Sequence, residues 1–284
     1  MSEAKIEILQ AGYCVHPEHV VLRTWKFSPM RFPSMFAVIE HPKEGVVLFD
    51  TGYSQRFLEQ TQRFPECLYR WVTPPTIGPE ESALAQLSKR GIGPGDVRLV
   101  VISHFHADHV SALADFPRAR YLHFPEAWES VRHRRGFGAV RKGFLPGLIP
   151  EDFERRSDPV VADRTVDLPP EMNPFRRGVD LFGDERFWAI PLPGHAAGQL
   201  GLWVREGCPG RSGTDLFLVA DACWSCRSFQ ERRRPHRITG LLFDSSSDYR
   251  RTFDEIVTLH ERGAPVRILP SHCEKSLAEL ESHD

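Results

Sequence analysis

Val97-Arg98-Leu99-Val100-Val101-Ile102-Ser103-His104-Phe105-His106-Ala107-Asp108-His109 is the stretch on which the reading of this chain turns. The apolar residues from Val97 to Ile102, interrupted only by Arg98, predict a short buried strand that runs directly into four metal-binding side chains. His104 and His106 stand two residues apart, so their rings project to one side and can close on one ion. Asp108 and His109 are adjacent, cannot share that geometry, and point to a second ion. Imidazole and carboxylate suit borderline and hard divalent cations, and two such ions about 3.5–4 Å apart form a hydrolytic arrangement. The bland alternative is a surface cluster of histidines. It fits poorly with four potential ligands packed between His104 and His109 behind a strand.

Further along, the same design recurs as single residues. Phe187 to Leu192 reads as an apolar strand entering Pro193-Gly194-His195, where Gly194 and Gly198 let the backbone turn and aim His195, the natural third nitrogen for the first ion. Leu216 to Ala220 is a strand ending in Asp221, whose two carboxylate oxygens could bridge both ions, and Val266 to Leu269 is a strand ending in Pro270-Ser271-His272. Upstream, Val46 to Phe49 ends in Asp50-Thr51-Gly52. Asp50 could accept a hydrogen bond from a metal-bound histidine, or it could only cap the turn. Any one of these residues taken alone is an ordinary polar group at a strand end. Taken together with the opening motif, they complete two coordination shells.

The whole chain has 284 residues, 41% hydrophobic and 26% charged, which is ordinary for a globular enzyme. No apolar run approaches the ~18 residues of a membrane helix, and the start lacks the pattern of a signal peptide, so a cytoplasmic location with no membrane partner is expected. A net charge of −2 gives no general affinity for nucleic acid. The cysteines at 14, 67, 208, 223, 226 and 273 are too scattered for a disulfide scaffold, and reduced thiols are expected. Cys223 and Cys226 form a C-x-x-C without a second such pair or a thioredoxin-like context.

In chain order, Ile6 to Leu9 begins a strand, and Cys14 to Pro33 reads as a long loop or irregular hairpin walling a pocket. Its aromatics are compatible with a homodimer. Strands at Met35–Glu40 and Val46–Phe49 make a hairpin, helical periodicity covers Ser54–Tyr69 and Glu80–Arg90, and strand and helix then alternate through Val131. Residues 132–175 carry prolines and a basic run without clear period, and are expected to form an insertion or lid over the surface. Asp248 to Arg262 is an amphipathic helix.

The set His104-x-His106-x-Asp108-His109, then Pro193-Gly194-His195, Asp221 and His272, with Leu48-Phe49-Asp50-Thr51-Gly52 upstream, resembles the metallo-β-lactamase superfamily over about Val46 to His272. The resemblance implies a four-layer αββα sandwich as a single domain over residues 1–284, with an N-terminal extension at 1–33 and a dinuclear site. Within the superfamily the chain is most similar to the N-acyl homoserine lactonase group. That group carries a tyrosine three residues after the bridging aspartate, donating to the ester carbonyl, where this chain has Trp224. An indole N–H can donate but cannot ionise.

The expected chemistry is metal-dependent hydrolysis of a small ester, lactone or thioester. Two divalent ions, Asp108, Asp221 and a shared hydroxide sum to about +1, which favours an anionic tetrahedral intermediate. Zinc is expected, with iron or manganese as alternatives. As the resemblance implies, Asp108 orients the nucleophile and passes its proton to the leaving oxygen or sulfur. Trp224 and Arg227, with Arg232, Arg233 and Arg234 nearby, are candidate substrate contacts, and a solvated charged loop is the competing reading. Thioester hydrolysis of the glyoxalase II kind and iron-dependent oxygen chemistry on the same fold remain as alternative readings. The complete ligand set argues for hydrolysis.

Overall fold

The computed structural model describes residues 4–161 and 164–281. Strand β1 (Lys5–Pro17) leads through helix α1 (Glu18–Leu22) to β2 (Pro29–His41) and β3 (Gly45–Phe49). Helices α2 (Gln55–Gln60) and α3 (Cys67–Val72), the short β4 (Pro75–Thr76) and α4 (Ala83–Lys89) precede β5 (Val97–Val101). There follow α5 (Ala107–Val110), β6 (Arg120–His123), α6 (Pro125–Glu129), α7 (Gly136–Val140), α8 (Phe153–Arg156) and β7 (Ser157–Pro159). The remainder runs β8 (Thr165–Asp167), β9 (Arg177–Asp180), β10 (Phe187–Pro191), β11 (Leu200–Val204), β12 (Asp215–Ala220), α9 (Cys226–Gln230), α10 (Ser246–Glu261), β13 (Val266–Pro270) and α11 (Glu274–Glu281). Two compact units divide the chain, the first comprising the residues up to Val15 and Arg31–Pro159, the second His16–Met30 and the residues from Val160.

The first unit holds a mixed seven-stranded sheet in the order β4-β1-β2-β3-β5-β6-β7. Strand β5 lies inside it, parallel to β3 on one side (Phe49 opposite Val101) and to β6 on the other (Val101 opposite Leu122). A parallel interior strand is covered on both faces, which is why Val97, Leu99, Val100 and Val101 form an almost unbroken apolar run, all buried, with only Arg98 reaching solvent. Because β3 and β5 run the same way, Asp50 and His104 leave the sheet at the same edge. Beneath them Phe36, Leu48, Val100, Ile102, Phe116 and Phe153 belong to one buried apolar cluster.

The second unit holds a mixed six-stranded sheet ordered β13-β12-β11-β10-β9-β8. Strand β11 is antiparallel to both β10 and β12, and β12 is parallel to β13, so β10, β12 and β13 all point one way. The residues that follow these three strands therefore emerge at one edge, and those residues include His195, Asp221 and His272. Helix α10 buries Tyr249, Phe253, Ile256 and Val257, a stripe at helical spacing.

Three local readings change. The segment Cys14–Pro33 is the end of β1, α1 and the start of β2 rather than an irregular loop; Pro29 and Pro33 within β2 hide the strand pattern. The helix read over Ser54–Tyr69 is two short helices, because Pro65 has no N–H to give and its ring blocks a continuous helix. Among the described residues of 132–175, the expected surface excursion contains α7, α8 and the strands β7 and β8, which pair into the two sheets. No helix among the described residues is long and apolar enough to cross a membrane.

Candidate metal centre

In the first unit the turn after β3 places Asp50 in the left-handed region (φ 60°), which aspartate tolerates better than most residues. Gly52 follows at φ 63°, where a Cβ would lie 2.5 Å from that of Ala11, so glycine is required. The turn is tied to the motif by backbone bonds, Asp50 N–H to Val101 O (2.9 Å) and Thr51 N–H to His109 O (2.8 Å).

Asp50 is fully buried and does more than the single contact the sequence suggested. Its Oδ1 accepts from the Ser103 N–H (2.8 Å), and its Oδ2 accepts from the Ser103 hydroxyl (2.7 Å) and from His109 Nδ1 (2.7 Å). Since the Ser103 hydroxyl is spent on Asp50, its oxygen is left to accept from His104 Nδ1 at 3.0 Å. One carboxylate thereby sets both His104 and His109 as Nδ1–H tautomers and turns the Nε2 lone pair of each outward, the state a metal ligand needs. Asp50 thus accepts from His109 Nδ1, which goes beyond capping the turn.

His104, His106 and His109 gather their rings, with centroids 4.5 Å apart for His104–His106 and 4.2 Å for His104–His109. His109 Nε2 lies 3.8 Å from Asp108 Oδ2. Asp108 also receives the Tyr69 hydroxyl on Oδ1 (3.4 Å), and its backbone carbonyl takes the Ser34 hydroxyl (2.6 Å). Gly143, at φ 61°, passes so close that a Cβ there would sit 2.6 Å from His106 Cδ2. Ser103, Tyr69 and Gly143 escaped the sequence reading; only Ser103, wedged between strand and His104, stood where a signal could have been sought.

In the second unit Gly194 adopts φ 130°, and a Cβ there would fall 2.1 Å from the backbone nitrogen of Tyr249. The first turn of α10 therefore rests on the turn that carries His195, fastened by Ser245 N–H to Gly194 O (3.0 Å) and by the Thr252 hydroxyl to Pro193 O (2.8 Å). Asp221 leaves β12 through Ala220 at φ 48°, and Ser271 N–H bonds Ala220 O (3.3 Å) just before His272. His195 Nε2 stands 3.2 Å from Asp221 Oδ2, and His272 Nε2 stands 3.0 Å from Asp221 Oδ1. Each oxygen of one buried carboxylate thus faces its own imidazole nitrogen. Lone pairs on both partners at such separations repel unless a proton or a cation lies between them. Bonds of about 2.0–2.2 Å to a shared ion would put two ligand atoms roughly this far apart. The donor set fits divalent cations.

Trp224 turns its indole N–H onto Asp221 Oδ2 at 3.0 Å. Arg227 is held by Glu231 (2.8 Å) and Glu18 (3.3 Å), which raise its pKa. Arg232, Arg233 and Arg234 pair with Glu261, Glu231 and Asp254 in the same unit. All three side chains are exposed. Cys226 donates to Cys273 rather than pairing with Cys223, which raises the Cys226 thiol and lowers that of Cys273 to about 5. No disulfide joins any of the six cysteines, all of which lie among the described residues. Burial, followed by neighbouring negative groups, pushes Cys223 and Tyr249 well above their ordinary values, so neither is an acid or base near neutral pH.

Comparison with known proteins agrees. Residues 30–207 match the metallo-beta-lactamase superfamily, more than half of the chain, and the chain belongs to that superfamily. It has the superfamily's fold, an α/β sandwich with two mixed sheets. Among curated relatives it is 28% identical to an N-acyl homoserine lactonase, AttM, of Azorhizobium caulinodans, over 94% of this chain and 92% of that one. Among solved structures it resembles an N-acyl homoserine lactone hydrolase with N-hexanoyl-L-homoserine at its catalytic metal centre (TM-score 0.68, 16% identity, 98% and 97% covered). It also resembles AidC, a dizinc quorum-quenching lactonase (TM-score 0.64, 15% identity, 96% and 89% covered). The chain accordingly stands among the superfamily's metal-dependent hydrolases of lactonase and esterase type.

Proposed function

We propose that this chain is a dinuclear hydrolase of a small ester or lactone, in which His104, His106, His195 and Asp221 would hold one divalent ion and Asp108, His109 and His272 a second, with the Asp221 carboxylate able to serve both. The observation that carries the reading is Asp221 with an imidazole nitrogen at each oxygen, supported by the Asp50 network that presents Nε2 of both His104 and His109. Zinc is the ion we favour, on the chemistry of the donors and the likeness to a dizinc lactonase. When bound, the ions supply Lewis acidity for the carbonyl oxygen and an activated water near neutral pH.

The residues do the rest. Asp108, steadied by the Tyr69 hydroxyl, takes the proton of the attacking water and passes it to the leaving oxygen or sulfur. Asp50 keeps two imidazoles from rotating or changing tautomer while charge builds. Two lactonase likenesses make the homoserine lactone class the first substrate to try, with thioesters second because the Trp224 N–H is committed to Asp221.

The test is metal analysis of the purified chain together with a panel of acyl homoserine lactones, acyl thioesters, aryl esters and β-lactams. The expected result is about two equivalents of zinc per chain, with lactone or thioester turnover that chelation abolishes and zinc restores. Fewer than two equivalents, or oxygen consumption in place of hydrolysis, would sink the proposal.

A further inference from the structure

Trp224 is a half-buried aromatic whose one polar atom is aimed at a carboxylate. Its N–H meets Asp221 Oδ2 at 3.0 Å, while its ring lies edge-on to His195 (centroids 5.8 Å, 87°) and packs against Phe243 (6.0 Å). Phe243 in turn stacks on Tyr249 at 4.1 Å, and it meets His195 at 5.6 Å. Asp221 Oδ2 therefore faces two groups, the indole N–H and His195 Nε2, and Oδ1 faces a third, His272 Nε2. A carboxylate offers roughly four lone-pair directions, and the indole N–H, fixed by its ring contacts, occupies one of them and restrains the rotation of the carboxylate plane.

We propose that Trp224 is a positioning residue, holding Asp221 so that one oxygen is offered beside each imidazole, and holding the His195 ring by the same side chain. An indole N–H donates only and does not ionise, so it keeps this role at every working pH and delivers no proton. The inference rests on the proposal that Asp221 serves two ions, and its test separates the two.

Wild-type chain and Trp224→Phe, which keeps an aromatic ring and drops the N–H, are stripped of metal and titrated with zinc against a chromogenic chelator. Cobalt-loaded forms are compared by visible absorption, and circular dichroism follows the fold. Losing a group that orients a ligand costs about 10–100-fold in metal affinity, and that loss is expected in the variant, together with a shifted cobalt spectrum and an unchanged apo fold. Equal affinities and superimposable cobalt spectra overturn the positioning role and leave the dinuclear reading standing. A wild-type chain that takes up fewer than two equivalents overturns that reading and the inference with it. Should the phenylalanine variant not fold, 3-benzothienylalanine at position 224 preserves the bicyclic outline without the N–H and gives the same comparison.

Discussion

The two units present their proposed ligands by opposite routes. In the first unit four proposed ligands lie in one short segment, and a single carboxylate outside it, Asp50, orients two of them through Ser103 and His109 Nδ1. In the second unit three proposed ligands come from three strand ends. What assembles them is strand direction, since β10, β12 and β13 point alike. A local motif can be disturbed one side chain at a time. An assembled one depends on backbone packing between elements distant in sequence.

The largest effect should come from making one chemical change in both regions. Asp108→Asn removes the proposed proton acceptor of the first while leaving an amide oxygen for the second ion, so it is expected to lower kcat by about 10²–10⁴ with KM and metal content little altered. Asp221→Asn in the second should show instead as lost metal, because an amide cannot bridge and would turn an N–H₂ toward His195 or His272. Metal analysis beside steady-state kinetics distinguishes them. Equal metal loss in both variants would erase the difference claimed between the regions.

The next contrast lies in two glycines. A Cβ on Gly194 meets the backbone of Tyr249 at 2.1 Å, which only a shift of α10 can relieve, whereas a Cβ on Gly143 meets a side chain, His106, at 2.6 Å. Gly194→Ala should therefore destabilise the chain by about 3 kcal/mol or more, and Gly143→Ala by about 1–2 kcal/mol with a displaced His106. Denaturant unfolding of the apo chains measures both. Comparable midpoints would show that the α10 contact yields easily.

Smaller again is Asp50→Asn, the counterpart in the first unit of the indole contact in the second. The amide can satisfy only part of the Ser103 and His109 network, so zinc affinity should fall about 10–100-fold, as read by chelator competition. An unchanged affinity would mean that packing alone orients the two rings.

These contrasts also explain how much could be read beforehand. The strand-then-ligands stretch at Val97–His109 was legible because both its burial and its chemistry are local, and Asp50 was found because it too ends a strand. His195, Asp221 and His272 could be named as strand-end residues, but their shared edge follows from β11 reversing between β10 and β12, which no short-range pattern records. Tyr69 and Gly143 were invisible for the same reason. Tyr69 reaches Asp108 from a helix that the sequence reading merged with its neighbour across Pro65, and Gly143 matters only because another segment's ring lies against it. The basic run Arg232–Arg234 was legible as charge. Two of its carboxylate partners, Glu261 and Asp254, sit on α10, too far along the chain for local charge pattern to assign.

The smallest expected effect is a difference in how the two units answer to acid. His123, buried in β6, donates from Nδ1 to Phe124 O (2.9 Å) and accepts on Nε2 from the Ser157 hydroxyl (2.7 Å), and burial, the largest influence, holds its pKa below the ordinary histidine value. The unfolded chain then binds a proton that the folded chain refuses, over the window from the depressed folded pKa up to about 6.5, so stability falls on acidification through that window and is restored as pH rises above it. One such group contributes at most about 1.4 kcal/mol per pH unit. In the second unit Cys223 and Tyr249 are shifted the other way, above their ordinary values by burial, and stay neutral throughout the same range. His123→Gln should therefore flatten part of the dependence of the urea midpoint on pH between about 5 and 7 in the apo chain, while Tyr249→Phe should leave its slope as it is. If His123→Gln kept the full slope, the acid sensitivity would have to be sought in the other histidines, the metal ligands among them.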